Sequence, residues 1–439
     1  METIQLEGLK ETEGEYIMLA RFLSIKLSAG SASNFTNVNN QGNLNNNNSY
    51  NSNGVAPDSL SSEQQSCCEN NSMEKEARTC GESPKPYRDA SRPLDGSCYQ
   101  HGSFESVIDP YSLLLAYYGC RKGVAWKGSI QRYERHLIRN ISNTIKTLRS
   151  GGIVTRGFYE FDINERGKQR HIRSVHISER VVQKSLCDNA LVPLLSKTLI
   201  HDNGASIEGK GTSFARKRLK VHLRRHFRKH GNNGYIVLID CRKYFDNIPH
   251  DLLYRKLERY ITDSDVMKLT RHYVDAFGDK GLGLGSQVSQ ISAVFYPNEI
   301  DHYAKETLGL KSYGRYMDDS YFIVPTKEEA REKLNKLEHK YKEYGLALNL
   351  KKTQIVKLSR GFTFMKGQYL LTITGRIKAK PSKDSEIRMA RKFRKFKKKQ
   401  LEKEAVETAY KTWRGYWKKL GGNPRKIDYL YRELFGGAA

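Results

Sequence analysis

The stretch Ser312-Tyr313-Gly314-Arg315-Tyr316-Met317-Asp318-Asp319-Ser320-Tyr321-Phe322-Ile323-Val324 carries the reading of the fold. Residues 312–316 and 320–324 are rich in aromatic and β-branched side chains and read as two strands. Met317, Asp318 and Asp319 between them predict a tight hairpin with two carboxylates at its tip. Alone, an Asp-Asp pair is an ordinary turn former. Its weight changes with a second element, Tyr235-Ile236-Val237-Leu238-Ile239-Asp240-Cys241. That continuous apolar run is what a buried strand needs, and Asp240 near its end is a third carboxylate.

Hard divalent cations such as Mg2+ take oxygen ligands, and phosphoryl transfer uses two of them about 4 Å apart. Asp240 and Asp318 on neighbouring strands would bridge two such ions. The main-chain carbonyl of Cys241 would add a ligand, and Asp319 would support the site from the hairpin.

Outward from these strands, 129–148, 177–195, 250–261, 286–307 and 328–344 have helical periodicity, whereas 158–163 and 169–175 read as strands around a turn. Short strands are expected at 353–358, 362–365 and 368–372, and from 384 onward the pattern is helical. Between Ser31 and Gly54, 11 of 24 residues are Asn, and the polar composition continues to Ser103. Such a segment cannot offset its chain entropy, so 28–103 is expected to be disordered, with a short docking helix within 1–27.

The formal charge of +27 is unevenly spread. Residues 1–103 hold 8 basic and 13 acidic side chains, net −5, leaving net +32 on 104–439. A polyanionic partner follows, and nucleic acid fits better than a membrane because no isolated amphipathic helix gathers the cations. No run of 18 apolar residues occurs, and the N-terminus carries Glu2, Glu7, Glu11, Glu13 and Glu15 where a signal peptide would be basic. The expectation is a cytoplasmic protein with no membrane partner. Cys67, Cys68, Cys80 and Cys98 form no metal-binding spacing and read as reduced thiols.

Tyr316-Met317-Asp318-Asp319 resembles the Tyr-x-Asp-Asp box of reverse transcriptases, and Asp240-x-x-x-Tyr244-Phe245-Asp246-Asn247-Ile248 resembles their first aspartate motif. Three more matches come in order: Arg180-Val181-Val182-Gln183, the glycine motif from Gly281 to Gln290, and Leu348-Asn349-x-x-Lys352-Thr353. The resemblance implies an α+β right-hand polymerase fold, with fingers and an antiparallel-sheet palm over 104–380 and an all-helical thumb over 381–439. It implies an RNA-directed DNA polymerase using two Mg2+ ions, for which Mn2+ can substitute. Its partners would be template RNA, a DNA primer or cDNA, and deoxynucleoside triphosphates.

Within that resemblance, Asp240, Asp318 and Asp319 are the catalytic carboxylates and Phe245 is an aromatic gate against a 2′-hydroxyl. Lys168 and Arg170, with Arg173 a weaker candidate, fall where cations would close on the triphosphate, and Lys352 where one would meet the departing pyrophosphate. Leu284, Gly285 and Gln290 belong to the nucleotide side. The strand pair around 364–369 resembles the primer grip. Arg388, Arg391, Lys392, Arg394, Lys395, Lys397 and Lys398 are the thumb's candidate phosphate contacts. Phe393 and Phe396, with Trp413, Tyr416 and Trp417, are expected to pack the thumb core.

Leu284 before Gly285, with Ser289-Gln290 at the motif's end, resembles reverse transcriptases of diversity-generating retroelements. There the aliphatic residue accompanies error-prone copying, and a small basic accessory protein or a structured non-coding RNA joins the partners. Gly283 departs from the usual Pro, and the Asn-rich segment is foreign to those compact enzymes. The alternatives are a prophage or antiphage-defence reverse transcriptase, and an inactive RNA-binding scaffold on the same fold. An RNA-dependent RNA polymerase shares the metal-binding palm, but Phe245 argues against it.

Overall fold

The computed structural model describes residues 101–165 and 168–436. The docking helix expected within 1–27 and residues 28–100 of the Asn-rich segment lie outside the described residues. Residues 101–103, expected to be disordered, instead belong to the folded body. Gly102 donates its N–H to the Asn189 carbonyl at 2.9 Å, and Ser103 caps the first described helix.

Four helices come first: α1 (Phe104–Ile108), α2 (Pro110–Arg121), α3 (Gly128–Arg135) and α4 (Leu137–Arg149). The Asp109 side chain accepts from the N–H of Ser112, and Pro110 starts α2 where a missing N–H costs nothing. The single helix expected over 129–148 is broken at His136, with φ −123° and ψ 35°. Asn140 Nδ2 donates to the Tyr133 carbonyl at 2.9 Å and so satisfies an acceptor freed by the break.

β1 (Phe158–Glu165) and β2 (Lys168–Val175) pair antiparallel as a separate ribbon. After α5 (Ile177–Leu186) the helix expected to reach 195 passes through a π-helical turn, Cys187–Leu191, before Val192–Leu195. Pro193 lacks a backbone donor there, and the wide turn accommodates the lost bond. A long helix that the apolar periodicity did not reveal, α6 (Thr212–His230), precedes β3 (Tyr235–Asp240). Next come α7 (His250–Leu257), α8 (Ser264–Asp275) and α9 (Gln287–Phe295). The helix expected over 286–307 is interrupted at Pro297, resuming as Asn298–His302.

β4 (Tyr313–Tyr316), β5 (Asp319–Val324), α10 (Lys327–Glu343) and β6 (Gln354–Lys357) complete an antiparallel sheet of order β4-β5-β3-β6. β3 is central, and both of its faces are covered. Val237 and Ile239 join Phe322, Tyr273, Phe295 and Tyr341 on one side. Ile236 joins Tyr321, Ile323, Phe362 and Tyr369 with Leu219 and Leu223 of α6 on the other. This two-sided burial is why the β3 sequence is apolar throughout rather than alternating.

A second antiparallel sheet joins β7 (Phe362–Phe364), β8 (Gly367–Leu371) and β9 (Ile377–Pro381). The chain then forms α11 (Lys383–Lys397), α12 (Lys403–Leu420) and α13 (Arg425–Phe435) around Met389, Phe393, Val406, Tyr410 and Ile427, with Phe396 and Trp413 against that core. Tyr416 departs from the expectation that it packs this bundle. Its ring takes the Arg216 guanidinium at 5.2 Å, and its hydroxyl accepts from Arg216 at 3.2 Å, tying α12 to α6. The architecture is α+β with antiparallel sheets.

Candidate active site

Tyr316 pairs with Asp319, so the turn between β4 and β5 is the two residues Met317 and Asp318. Met317 sits at φ +57°, a conformation that L side chains adopt only at a cost. Asp319 is therefore not at the tip as expected. It opens β5 and stands directly opposite Asp240 of β3, while Asp318 occupies the tip.

The base of the hairpin is locked by a residue the sequence reading assigned no role. Arg315 is 2% exposed, and its Nε donates to Asp301 Oδ1 at 2.9 Å and Oδ2 at 2.8 Å. Its other nitrogens donate to the carbonyls of Val294 at 2.8 Å and Met317 at 3.1 Å. Tyr313 donates to the same Asp301 carboxylate at 2.6 Å. A buried, fully hydrogen-bonded ion pair thus grips the carbonyl of the left-handed turn residue.

Two of the three carboxylates, Asp318 and Asp319, have a raised proton affinity. Burial, then the neighbouring Asp318 and Asp240 charges, push Asp319 up to about 7. Asp318 is also raised, chiefly by burial and then by Asp240, with Lys352 and Arg170 opposing. Asp240 is the neutralised member: Lys352 Nζ lies 2.5 Å from its Oδ2, and Asn349 Nδ2 donates to its Oδ1 at 3.1 Å. That hydrogen bond raises the Lys352 pKa. Lys352, expected at the departing pyrophosphate, thus rests on a carboxylate, where it supplies the cation that the repulsion demands. Among the described residues, no three His, Cys, Asp or Glu side chains stand ready-made for a metal ion. The donor set still fits a hard divalent cation: three oxygen ligands with negative charge only partly balanced.

Cys241 is buried, and burial holds its thiol protonated. The Asp240 carbonyl accepts from Asn349 N–H at 2.8 Å, so strand alternation turns the next carbonyl, that of Cys241, toward β5. A cleft of about 480 Å³ is lined by Asp240, Asp319 and Lys352 together with Phe362, Phe364 and Met365.

Among the residues expected on the nucleotide side, Phe245 is half-buried against the main core, edge-on to Tyr244, and its carbonyl accepts from Leu282 N–H at 2.8 Å. The glycine motif is thereby fastened to the segment after β3. Gly285 has φ +115°, and a Cβ there would lie 2.9 Å from the Arg173 carbonyl. At Gly283 a Cβ would meet the Phe277 ring at 1.9 Å, which accounts for the missing Pro. Leu284 is half-buried, whereas Gln290 is exposed and donates to Ser206 at 3.0 Å. Gln183, from the motif after β2, accepts from Ser286 at 3.0 Å and so links α5 to the glycine motif.

Arg170 on β2 is close enough to oppose the shift of Asp318. Arg173 is engaged elsewhere, 3.1 Å from Glu160 and donating to the Phe277 carbonyl at 3.2 Å. The Lys168 backbone pairs with Glu165, but its side chain lies outside the described residues. The seven candidate phosphate contacts, Arg388, Arg391, Lys392, Arg394, Lys395 and Lys397 on α11 and Lys398 just past its end, are exposed, while Phe393 is buried.

A family described as "Reverse transcriptase (RNA-dependent DNA polymerase)" matches residues 163–403, more than half of the chain and the whole carboxylate site. The chain belongs to the reverse transcriptase family. Members of this family use divalent metal ions. A curated relative, the "Putative COX1/OXI3 intron 1 protein" of Saccharomyces cerevisiae, is 28% identical over 145 residues, 31% of this chain and 16% of that protein. Among solved structures, telomerase from Candida albicans, in complex with a fragment of telomeric RNA, aligns at 14% identity and TM-score 0.42. That alignment covers 57% of this chain and 49% of that one. Apo telomerase from Candida tropicalis aligns at 14% identity and TM-score 0.43, covering 62% and 55%. This reverse transcriptase chain thus spans about half of those structures and a small part of the curated relative. No helix among its described residues is long and apolar enough to cross a membrane.

Proposed function

We propose that this chain is a cytoplasmic RNA-directed DNA polymerase that copies an RNA template into cDNA by nucleotidyl transfer, with Asp240, Asp318 and Asp319 as its catalytic carboxylates. One observation carries the reading: within a reverse transcriptase family match, the strand register sets Asp319 against Asp240 and leaves Asp318 at the adjoining tip. Residues 104–380 are read as fingers and palm and 381–439 as thumb. Two Mg2+ ions, or Mn2+ in their place, would be held by the three carboxylates and the Cys241 carbonyl, and when bound would supply Lewis-acid activation of the primer hydroxyl and the leaving pyrophosphate.

The remaining residues bind and select. Lys352, which rests on Asp240, would approach the pyrophosphate, while Lys168 and Arg170 close on the triphosphate. Phe245 lies under the sugar and excludes a 2′-hydroxyl. Leu284, Gly285 and Gln290 shape the nucleotide pocket, and the exposed cations of α11 follow the backbone of the template–primer duplex.

Primer extension on an RNA template with Mg2+ tests the assignment. Asp318→Ala or Asp240→Ala should abolish extension, by a thousandfold or more on the scale of lost two-metal chemistry. Undiminished extension by either variant ends it.

The half-buried aliphatic Leu284 favours the diversity-generating retroelement reading over a prophage or antiphage-defence one, and with it a small basic accessory protein or structured RNA as partner. A pocket that lacks one hydrogen bond loses about 1 kcal/mol of discrimination. Sequenced products should therefore show frequent errors opposite template adenine, lowered by Leu284→Gln. A low error rate spread evenly over the four template bases would reject that reading and leave the polymerase assignment intact. In the same assay, Phe245→Ala should raise ribonucleotide use roughly tenfold. An unchanged ratio would make Phe245 a core residue only.

A further inference from the structure

Apart from the carboxylate cleft, a second cavity of about 380 Å³ opens between α3, α4 and the start of α5. It shares no residue with the cleft. Its walls carry Arg132, Arg156, His136 and His176, and no Asp or Glu lines it. The two guanidiniums come from separate segments, Arg132 from α3 and Arg156 from the chain before β1, yet both act on the same imidazole. Burial first, then Arg156 and Arg132, hold His176 below its ordinary pKa and keep it neutral.

The tautomer of His176 follows from its partners. Nδ1 accepts the N–H of Ser178 at 3.3 Å, which leaves the ring proton on Nε2 as a donor. Ser178 lies in the first turn of the ten-residue α5, so the positive end of that helix also meets the cavity. Tyr133, 6% exposed, and Thr144 also line the cavity.

We infer that this cavity is a second anion site that binds a phosphoryl group, separate from the polymerase centre. Every charged group on its wall is cationic, planar guanidiniums match phosphate oxygens, and the volume suits a ligand of nucleotide size. The phosphoryl group can belong to a free nucleoside phosphate or to a nucleic-acid strand, which the test separates.

The test is calorimetric titration of the full-length protein in EDTA at 0.15 M salt. The probes are dATP, a 5′-phosphorylated RNA 12-mer and the same RNA with a 5′-hydroxyl. Arg132→Gln/Arg156→Gln should weaken at least one probe about tenfold, with an unchanged melting temperature. Loss for dATP identifies a free nucleotide, loss for the 5′-phosphorylated RNA alone a strand end, and equal loss for both RNAs an internal phosphodiester. Asn143→Asp, at an exposed cavity position, adds a carboxylate without touching the arginines and should weaken the same probe. Affinities for all three probes within threefold of the wild type in both variants would overturn the site and show that binding lies elsewhere on the basic surface.

Discussion

Two antiparallel hairpins of similar build behave as opposites in this molecule. In β4–β5 the large side chains Tyr313, Tyr321 and Phe322 are buried, and Arg315 and Asp301 lock the turn from below. In β1–β2 the corresponding side chains face outward: Tyr159 is 63% exposed, Phe161 49% and Ile163 39%. Its cross-strand partners are surface charges, His171 with Glu160 and Asp162, and Arg173 with Glu160. A lone two-stranded ribbon is marginal in water. The hairpin that must hold carboxylates at fixed positions is thus built into the core, whereas the one proposed to close on a substrate is held by its own ladder and by Phe158 and Arg173 against Phe277 at its base, and presents apolar and basic groups to a partner.

Breaking the buried lock should have the largest effect. Arg315→Met takes the cation from the buried Asp301 and leaves it the Tyr313 hydroxyl, and should cost about 3 to 5 kcal/mol in denaturant unfolding. Arg315→Met/Asp301→Leu should recover much of that stability without restoring primer extension, because the Met317 carbonyl remains unheld. A loss below about 1 kcal/mol for the single variant would mean that the turn does not depend on this pair.

The second effect is a pH dependence on the β4–β5 side. Asp319 has a folded pKa of about 7, against roughly 3.9 when unfolded. Between those values the folded state holds the extra proton, so stability falls as pH rises from 4 to 7 and levels off above. Asp319→Asn removes this penalty and should gain stability over the wild type by an amount that grows through that window to a few kcal/mol in EDTA. Parallel stability curves for the two proteins would refute it.

The smallest effect belongs to the outer hairpin. Glu160→Gln removes surface pairs to His171 and Arg173 and should shift stability by less than about 1 kcal/mol, fading at high salt. A cost rivalling that of Arg315→Met would erase the contrast between the hairpins.

What could be read from the chain follows the same division. β3 and the β4–β5 hairpin were legible because apolar runs ending in carboxylates carry both strand and site in a few residues. α6 was not, because its buried face runs Ala215, Leu219, His222, Leu223, His226, and the two histidines interrupt the apolar stripe. His222 is tolerated there because Tyr321 bonds it at 2.9 Å, a partner 99 positions away. β9 was missed because its inward residues are Ile377, Ala379 and Pro381, too small a pattern between lysines. The pairing of Arg315 with Asp301, and the seating of Lys352 on Asp240, are tertiary contacts with no local periodicity. Only the motif spacing around Leu348-Asn349-x-x-Lys352 hinted at the second.

The sheet order also sets a timetable for synthesis. β3, in the middle of the sheet, is made before both of its neighbours: Asp240 must wait for Asp319 on one side and for Lys352, 112 positions later, near the other. At roughly 5 to 20 residues per second of translation, that interval lasts about 5 to 20 seconds. Through it, a strand apolar on both faces lacks at least one of its two neighbours, and closing so long a loop earns no contacts until its far end arrives. The nascent chain is therefore most in need of a chaperone between the emergence of β3 and that of β6, and the three carboxylates first meet near the end of that exposure.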